Sequence, residues 1–213
     1  MDRVTKGISY EFVLRRLATI LSVTVLTLAA TAAITGILLS IYYQPIAGGA
    51  YSSIKMIVQD VPSGWLIYGV HNIAGNGLIG ASLIQMVVMF LGERFRRSWL
   101  TAWFSVIFLI LTAIGLGWTA MILDWSQLGY WRFKIELGTI EAIPLIGRQV
   151  RDILTGGAVN SLTVERLYTL HSYVLSAAAL FLAVVHLVSL IWQEKEEKER
   201  LLSAIEETPT PNL

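Results

Sequence analysis

The chain contains no cysteine, which excludes disulfides, zinc–thiolate centres, iron–sulfur ligation and thioether-linked haem. Charge is sparse. Asp, Glu, Lys and Arg make up 15% of the residues, against about 25% in ordinary soluble domains. The net charge of +1 gives no reason to invoke nucleic acid as a partner. Histidine is scarce too, at three in 213 residues, so the position of each one carries weight. Apolar sequence is abundant: 55% of residues are hydrophobic and the mean hydropathy is +0.64. Four runs are long enough to cross a bilayer, which takes about 20 mostly apolar residues. They are Leu17–Tyr43, Trp65–Leu91, Leu100–Leu123 and Val164–Trp192. The fold class expected is therefore an all-α membrane protein, a four-transmembrane-helix bundle surrounded by lipid. The first run lacks the short apolar core and small-residue cleavage site of a signal peptide, so it reads as a retained helix.

Four spans put both termini on one side. Arg3, Lys6, Arg15 and Arg16 precede the first span, Arg94, Arg96 and Arg97 follow the second, and Lys195, Lys198 and Arg200 follow the fourth. The short loop after span one has only Lys55. By the positive-inside rule both termini are cytoplasmic, in a bacterial plasma membrane or a photosynthetic membrane. Three regions are expected: an interfacial segment over residues 1–14, the membrane domain over 15–192, and a charged tail over 193–213. Pro45 and Gly48-Gly49 stop the first helix, and the basic turn Gly92 to Ser98 makes spans two and three antiparallel neighbours. The external segment, residues 124–163, begins amphipathic, breaks at Ile143–Gly147 and resumes as a short helix over Arg148–Leu154. Long loops with structure of their own are usually functional.

Spans two and four both run from outside to inside. His71 lies about six residues into one and His171 about seven into the other, so both sit about 10 Å below the outer end of their helices. Histidine inside a bilayer is costly and tends to face a partner in the bundle interior. Gly36 lies seven residues before Tyr43 and Gly117 seven before Asp124, at the outward ends of spans one and three. Two imidazoles and two small contacts, one from each helix, thus converge at one depth, where a porphyrin iron could be held with clearance for the macrocycle. Each feature also has a plainer reading: glycine serves close helix packing, and a membrane histidine can bond a backbone carbonyl.

The third histidine, His186, is fifteen residues past His171, about 22 Å deeper. The matching position on span two, fourteen past His71, is Gln85, a poor ligand for haem iron. Ser22 and Val106 occupy the matching positions of spans one and three. His186 is read either as a hydrogen-bonding core histidine or as an axial ligand, with the inner site looking closed.

Several motifs extend these observations. Ile41-Tyr42-Tyr43-Gln44-Pro45, Gly64-Trp65-Leu66-Ile67 ahead of His71, Asp124-Trp125-Ser126-Gln127-Leu128-Gly129-Tyr130-Trp131, Ala142-Ile143-Pro144-Leu145-Ile146-Gly147 and Leu167-Tyr168-Thr169-Leu170-His171 occur in order along the chain. With them, the chain strongly resembles the cytochrome b family in its short, b6-type four-helix form, from about Tyr10 to Trp192. The resemblance implies non-covalent haem b between spans two and four, with quinol as the electron source at the outer face. Carried over by position, His71 and His171 match the outer haem ligands, Gly36 and Gly117 the clearance glycines, and His186 one inner ligand. Gln85 stands where the other inner histidine belongs. Ile20 replaces a cysteine of the photosynthetic form, and Ile191 a basic residue. Tyr68 and Asn72 replace arginines that pair with propionates, a role open to Arg132, Lys134 or Arg148.

The expectation is a single outer haem b, loss of the inner haem, and an electron-transfer subunit in a respiratory or photosynthetic complex. The family's Pro-Glu-Trp-Tyr type segment belongs to its C-terminal half. A subunit IV-like chain carrying that half, a further redox subunit and a possible homodimer are therefore the implied partners. Two alternatives stay open: a haem-free scaffold or quinone- or pigment-binding subunit, and a two-haem protein with a five-coordinate inner haem on His186.

Overall fold

The computed structural model describes residues 2–92 and 99–206. The side chains of Tyr10 and Phe12, the basic residues of the turn at 93–98 and the tail 207–213 lie outside that description. All five prolines fall between helices or in the tail, at 45, 62, 144, 209 and 211, so none interrupts a backbone ladder inside a span. The elements are α1 (Asp2–Ser40), α2 (Ala50–Gln59), α3 (Gly64–Leu91), α4 (Leu100–Leu123), α5 (Gln127–Glu141), α6 (Gly147–Thr155), α7 (Ser161–Thr169) and α8 (Ser176–Glu206). A π-helical turn, Leu170–Leu175, joins α7 to α8 without a break. Four segments have the length and apolar character to span: Val13–Ser40, Gly64–Leu91, Leu100–Leu123 and Ser161–Arg200. The protein is an all-α integral membrane protein.

α1 and α4 each pack against both α3 and α8, so they occupy opposite corners of a four-helix square. Alanines from three helices, Ala29, Ala113, Ala179 and Ala183, form the middle of the core with Val25, Leu78 and Leu109. Small residues let backbones approach where lipid offers no hydrophobic drive for helix association. An inner cluster holds Ala18, Met89, Val106 and Leu190. An outer cluster ties α4 to the external helices through Ile122, Phe133, Leu137, Val164 and Leu167.

The described structure differs from the sequence reading at the outer side. α1 ends at Ser40 rather than Tyr43. The following segment, read as a loop, contains α2, whose buried Ala50, Ser53 and Ile57 recur at helical spacing and face the bundle. The fourth span begins three residues earlier, at Ser161, because Asn160 caps it: its side chain accepts the Leu162 N–H at 2.9 Å while Thr163 Oγ1 accepts the Asn160 N–H at 3.1 Å. This is a reciprocal capping box. α5 is capped by Ser126, whose Oγ accepts the Gly129 N–H at 3.2 Å. A Cβ on Gly129 would lie 2.5 Å from the Met121 carbonyl oxygen, so only glycine lets α5 fold back onto the end of α4.

Candidate functional site

His71 lies two turns into α3 and His171 within the π-helical turn. Their rings face each other with centroids 6.3 Å apart and planes at 57°. Each ring is held from behind by a neighbouring helix. His71 Nδ1 is 3.0 Å from the Ala32 carbonyl and 3.2 Å from Thr35 Oγ1 on α1. A carbonyl only accepts, so Nδ1 carries the proton and Nε2 keeps its lone pair. His171 Nδ1 is 2.8 Å from Thr119 Oγ1 on α4. That hydroxyl donates its own proton to its helix, with the Gly115 and Leu116 carbonyls at 2.8 and 3.0 Å, and so accepts the Nδ1 proton. Both Nε2 atoms are left without a partner among the described residues.

The two rings line a cavity of about 740 Å³ in the outer half of the bundle, which also takes in Gly36, Gly117, Tyr68 and Asn72. A Cβ on Gly36 would lie 3.1 Å from His71 Cε1, and one on Gly117 would lie 3.1 Å from Ile79 Cδ1. Both glycines therefore keep room that any side chain would take. At the outer end the wall gains Asp124, Ser126 and Arg132. Of the three cations considered as propionate partners, Arg132 lines the cavity, paired with Glu136 at 3.0 Å. Lys134 lies over the rings of Tyr130 and Trp131, and Arg148 is not part of the wall. Tyr43, beside Tyr168 with centroids 5.5 Å apart, donates to the Leu123 carbonyl at 2.7 Å. Burial pushes its phenol well above the ordinary tyrosine range, so it stays a donor.

His186 is not part of this cavity. It is fully buried in the inner half, with Nδ1 3.2 Å from the Ala102 carbonyl and 3.0 Å from Ser105 Oγ, and Nε2 3.0 Å from Gln85 Nε2. Ser105 Oγ donates to the Ala102 carbonyl at 3.0 Å, so the Nδ1 proton is shared between that hydroxyl oxygen and the carbonyl, and Nε2 accepts from the glutamine amide. Gln85 and Val106 are fully buried and Ser22 is 1% exposed, so side chains stand where the outer layer has its glycines.

Sequence reasoning missed Thr35, Thr119 and Ser105, the hydroxyls behind the histidines. The signal available was a hydroxyl residue inside an apolar run, beside Gly36 or two residues past Gly117. It also left the fifteen-residue step from His171 to His186 unexplained. Fourteen residues separate His71 from Gln85 and Thr119 from Ser105. The π turn absorbs the extra residue on the fourth span, which is why His186 meets Gln85 and Ser105 directly.

The geometry can be tested against a metal between the rings. Two imidazoles on opposite faces of one metal, each bonded through Nε2 at about 2 Å, have centroids about 6 Å apart, and the separation here is 6.3 Å. No group of three or more His, Asp or Glu side chains suited to a bare ion occurs among the described residues. The remaining ligands of a metal held between the rings would have to come from a bound group, and the cavity that Gly36 and Gly117 line has a volume of about 740 Å³. Fold and site thus define a four-helix membrane bundle with a bis-histidine cavity in its outer half.

Known proteins share the fold of this bundle. The cytochrome b/b6/petB family model matches residues 8–194. The chain is 31% identical over 153 residues to cytochrome b6 of Gracilaria tenuistipitata var. liui, covering 71% of each chain. It is 33% identical over 142 residues to cytochrome b6 of Mastigocladus laminosus, covering 66% of each. In shape it matches a chain of a hyperthermophilic respiratory Complex III with a TM-score of 0.72 at 22% identity, over 81% of this chain and 47% of that one. This chain spans about half the length of that Complex III chain. It belongs to the cytochrome b/b6 family.

Proposed function

We propose that this protein is a membrane electron-transfer subunit that carries one non-covalent haem b in the outer half of its bundle. Nε2 of His71 and of His171 would hold it. The observation that carries this reading is the pair of anchored imidazoles, 6.3 Å apart across a cavity with two glycines in its wall. Bound there, a haem b would supply a one-electron couple near the outer membrane face. The chain's own residues do the rest. Ala32, Thr35 and Thr119 hold the Nδ1 protons, which fixes the tautomer that leaves Nε2 free and raises ligand basicity. Gly36 and Gly117 keep the space between the rings clear. Tyr68, Asn72 and Arg132 offer donors to carboxylate substituents at the cavity's polar end.

Electrons would come from a quinol held against the Gly129–Gly147 segment, within a larger b6-type or Complex III-type assembly. A second chain would supply the C-terminal half of a cytochrome b, and a further redox subunit would accept electrons. Both termini would lie in the cytoplasm, a reading the Lys and Arg distribution supports. With His186 bonded through both ring nitrogens, electron transfer is confined to the outer half and the inner histidine is structural.

The test is a reduced-minus-oxidised spectrum with haem quantified per polypeptide on the purified protein. One haem is expected, lost in His71→Ala and in His171→Ala and retained in His186→Ala. Two haems per chain, or a haem that survives both outer substitutions, would refute the reading.

A further inference from the structure

A polar layer crosses the inner half of the bundle between two apolar clusters. On its outer side lie Val25, Leu78, Leu109 and Ala183, and on its inner side Ala18, Met89, Ala102 and Leu190. Every helix of the square contributes: Ser22 from α1, Ser82 and Gln85 from α3, Ser105 from α4 and His186 from α8. None of the five is more than 4% exposed. The register follows from the outer layer, where Gly36 of α1 lies against His71 of α3, a Cβ there falling 3.1 Å from His71 Cε1. Fourteen residues inward along each of these antiparallel helices, Ser22 stands level with Gln85, and Ser82 lies one turn from Gln85 on the same face.

His186 and Ser105 satisfy one another and the Ala102 carbonyl. Three atoms of the layer do not share in this: Ser22 Oγ, Ser82 Oγ and Gln85 Oε1 are buried with no partner among the described residues. The usual outlet for a hydroxyl inside a helix is the carbonyl one turn back. Thr24, Thr27, Thr112 and Ser189 all take it in this chain. Ser22 and Ser82 depart from that pattern, and they do so in the layer that holds the unpartnered glutamine oxygen. Buried polar groups in proteins are nearly always paired, with ordered water where no protein atom serves. An internal water makes about three hydrogen bonds.

We infer that this layer is a water-binding site, with at least one internal water held by Ser22, Ser82 and Gln85. The balance of donors and acceptors suits water. Gln85 Oε1 accepts one of its protons, and its oxygen accepts from the two serine hydroxyls. No Asp, Glu, Lys or Arg belongs to the layer, so a cation finds no countercharge there. The site forms a hydrated plug where the fourteen-residue spacing repeats the outer layer, and it stands whether or not the outer cavity holds a haem.

The test is the structure of the full-length protein in a lipid nanodisc, at a resolution that orders internal water. A second readout is the infrared O–H stretch that shifts in heavy-oxygen water. Density within hydrogen-bond reach of Ser22 Oγ, Ser82 Oγ and Gln85 Oε1 is expected, with a shifted band that is lost in Gln85→Leu. Ser82→Ala removes a single atom and serves if the first variant fails to fold; it should lose or displace the same water. A dry layer, with the two serines turned to the Ala18 and Leu78 carbonyls, would overturn the inference. So would macrocycle density against Gln85.

Discussion

In the outer layer, His171 gives its Nδ1 proton to Thr119 of α4. Fourteen residues inward along the same helix, Ser105 stands in the same relation to His186, with the Ala102 carbonyl beside it. Behind the rings the two layers are built alike. In front of them they diverge. The outer rings both line an open cavity, whereas the inner Nε2 accepts from Gln85. Glycines flank the outer space, while Ser22 and fully buried Val106 fill the inner one. The apparatus that orients an imidazole is therefore separable from the space that admits a ligand. A cofactor layer needs both, because an empty apolar gap loses packing contacts that membrane helices depend on.

Substitutions can break or sharpen this contrast. The largest effect is expected from His171→Ala, which should abolish haem content measured per polypeptide, while His186→Ala leaves it unchanged. Next comes Thr119→Val, which removes the partner of His171 Nδ1. Outer-shell losses of this kind typically weaken metal affinity by about 10–100-fold, so haem should transfer faster to an apoprotein acceptor. Ser105→Ala, its inner counterpart, should leave that transfer rate unaltered. A smaller effect, on stability alone, is expected for Gln85→Ala. It strips a buried ring nitrogen of its donor at a cost of about 1–3 kcal/mol, seen as earlier thermal unfolding with haem stoichiometry intact. Gln85→His alone should change stoichiometry least of all: it supplies the second imidazole, but Ser22 and Val106 still occupy the clearance. A second haem appearing in that single variant would show that ligand identity, and not space, separates the two layers.

Much of this was legible along the chain. Bilayer thickness forces apolar runs of about 20 residues, and four such runs stood out. Depth below the membrane surface is set by a count of residues, so His71 and His171 could be levelled with each other and with Gly36 and Gly117. The break at Ile143–Gly147 between α5 and α6 was visible in its proline and glycine. α2 was not, because a ten-residue amphipathic stretch between turn residues has too little pattern to separate it from a loop. Nor was the π turn, whose backbone choice has no residue signature in Leu170–Leu175.

The sequence alone thus determined which segments cross the membrane and how deep each histidine lies, because both are counts along a helix. Only the tertiary structure decided what stands behind and before each ring. Whether Nε2 meets open space or a glutamine amide depends on side chains from four helices converging on one layer, and their facing is set by packing.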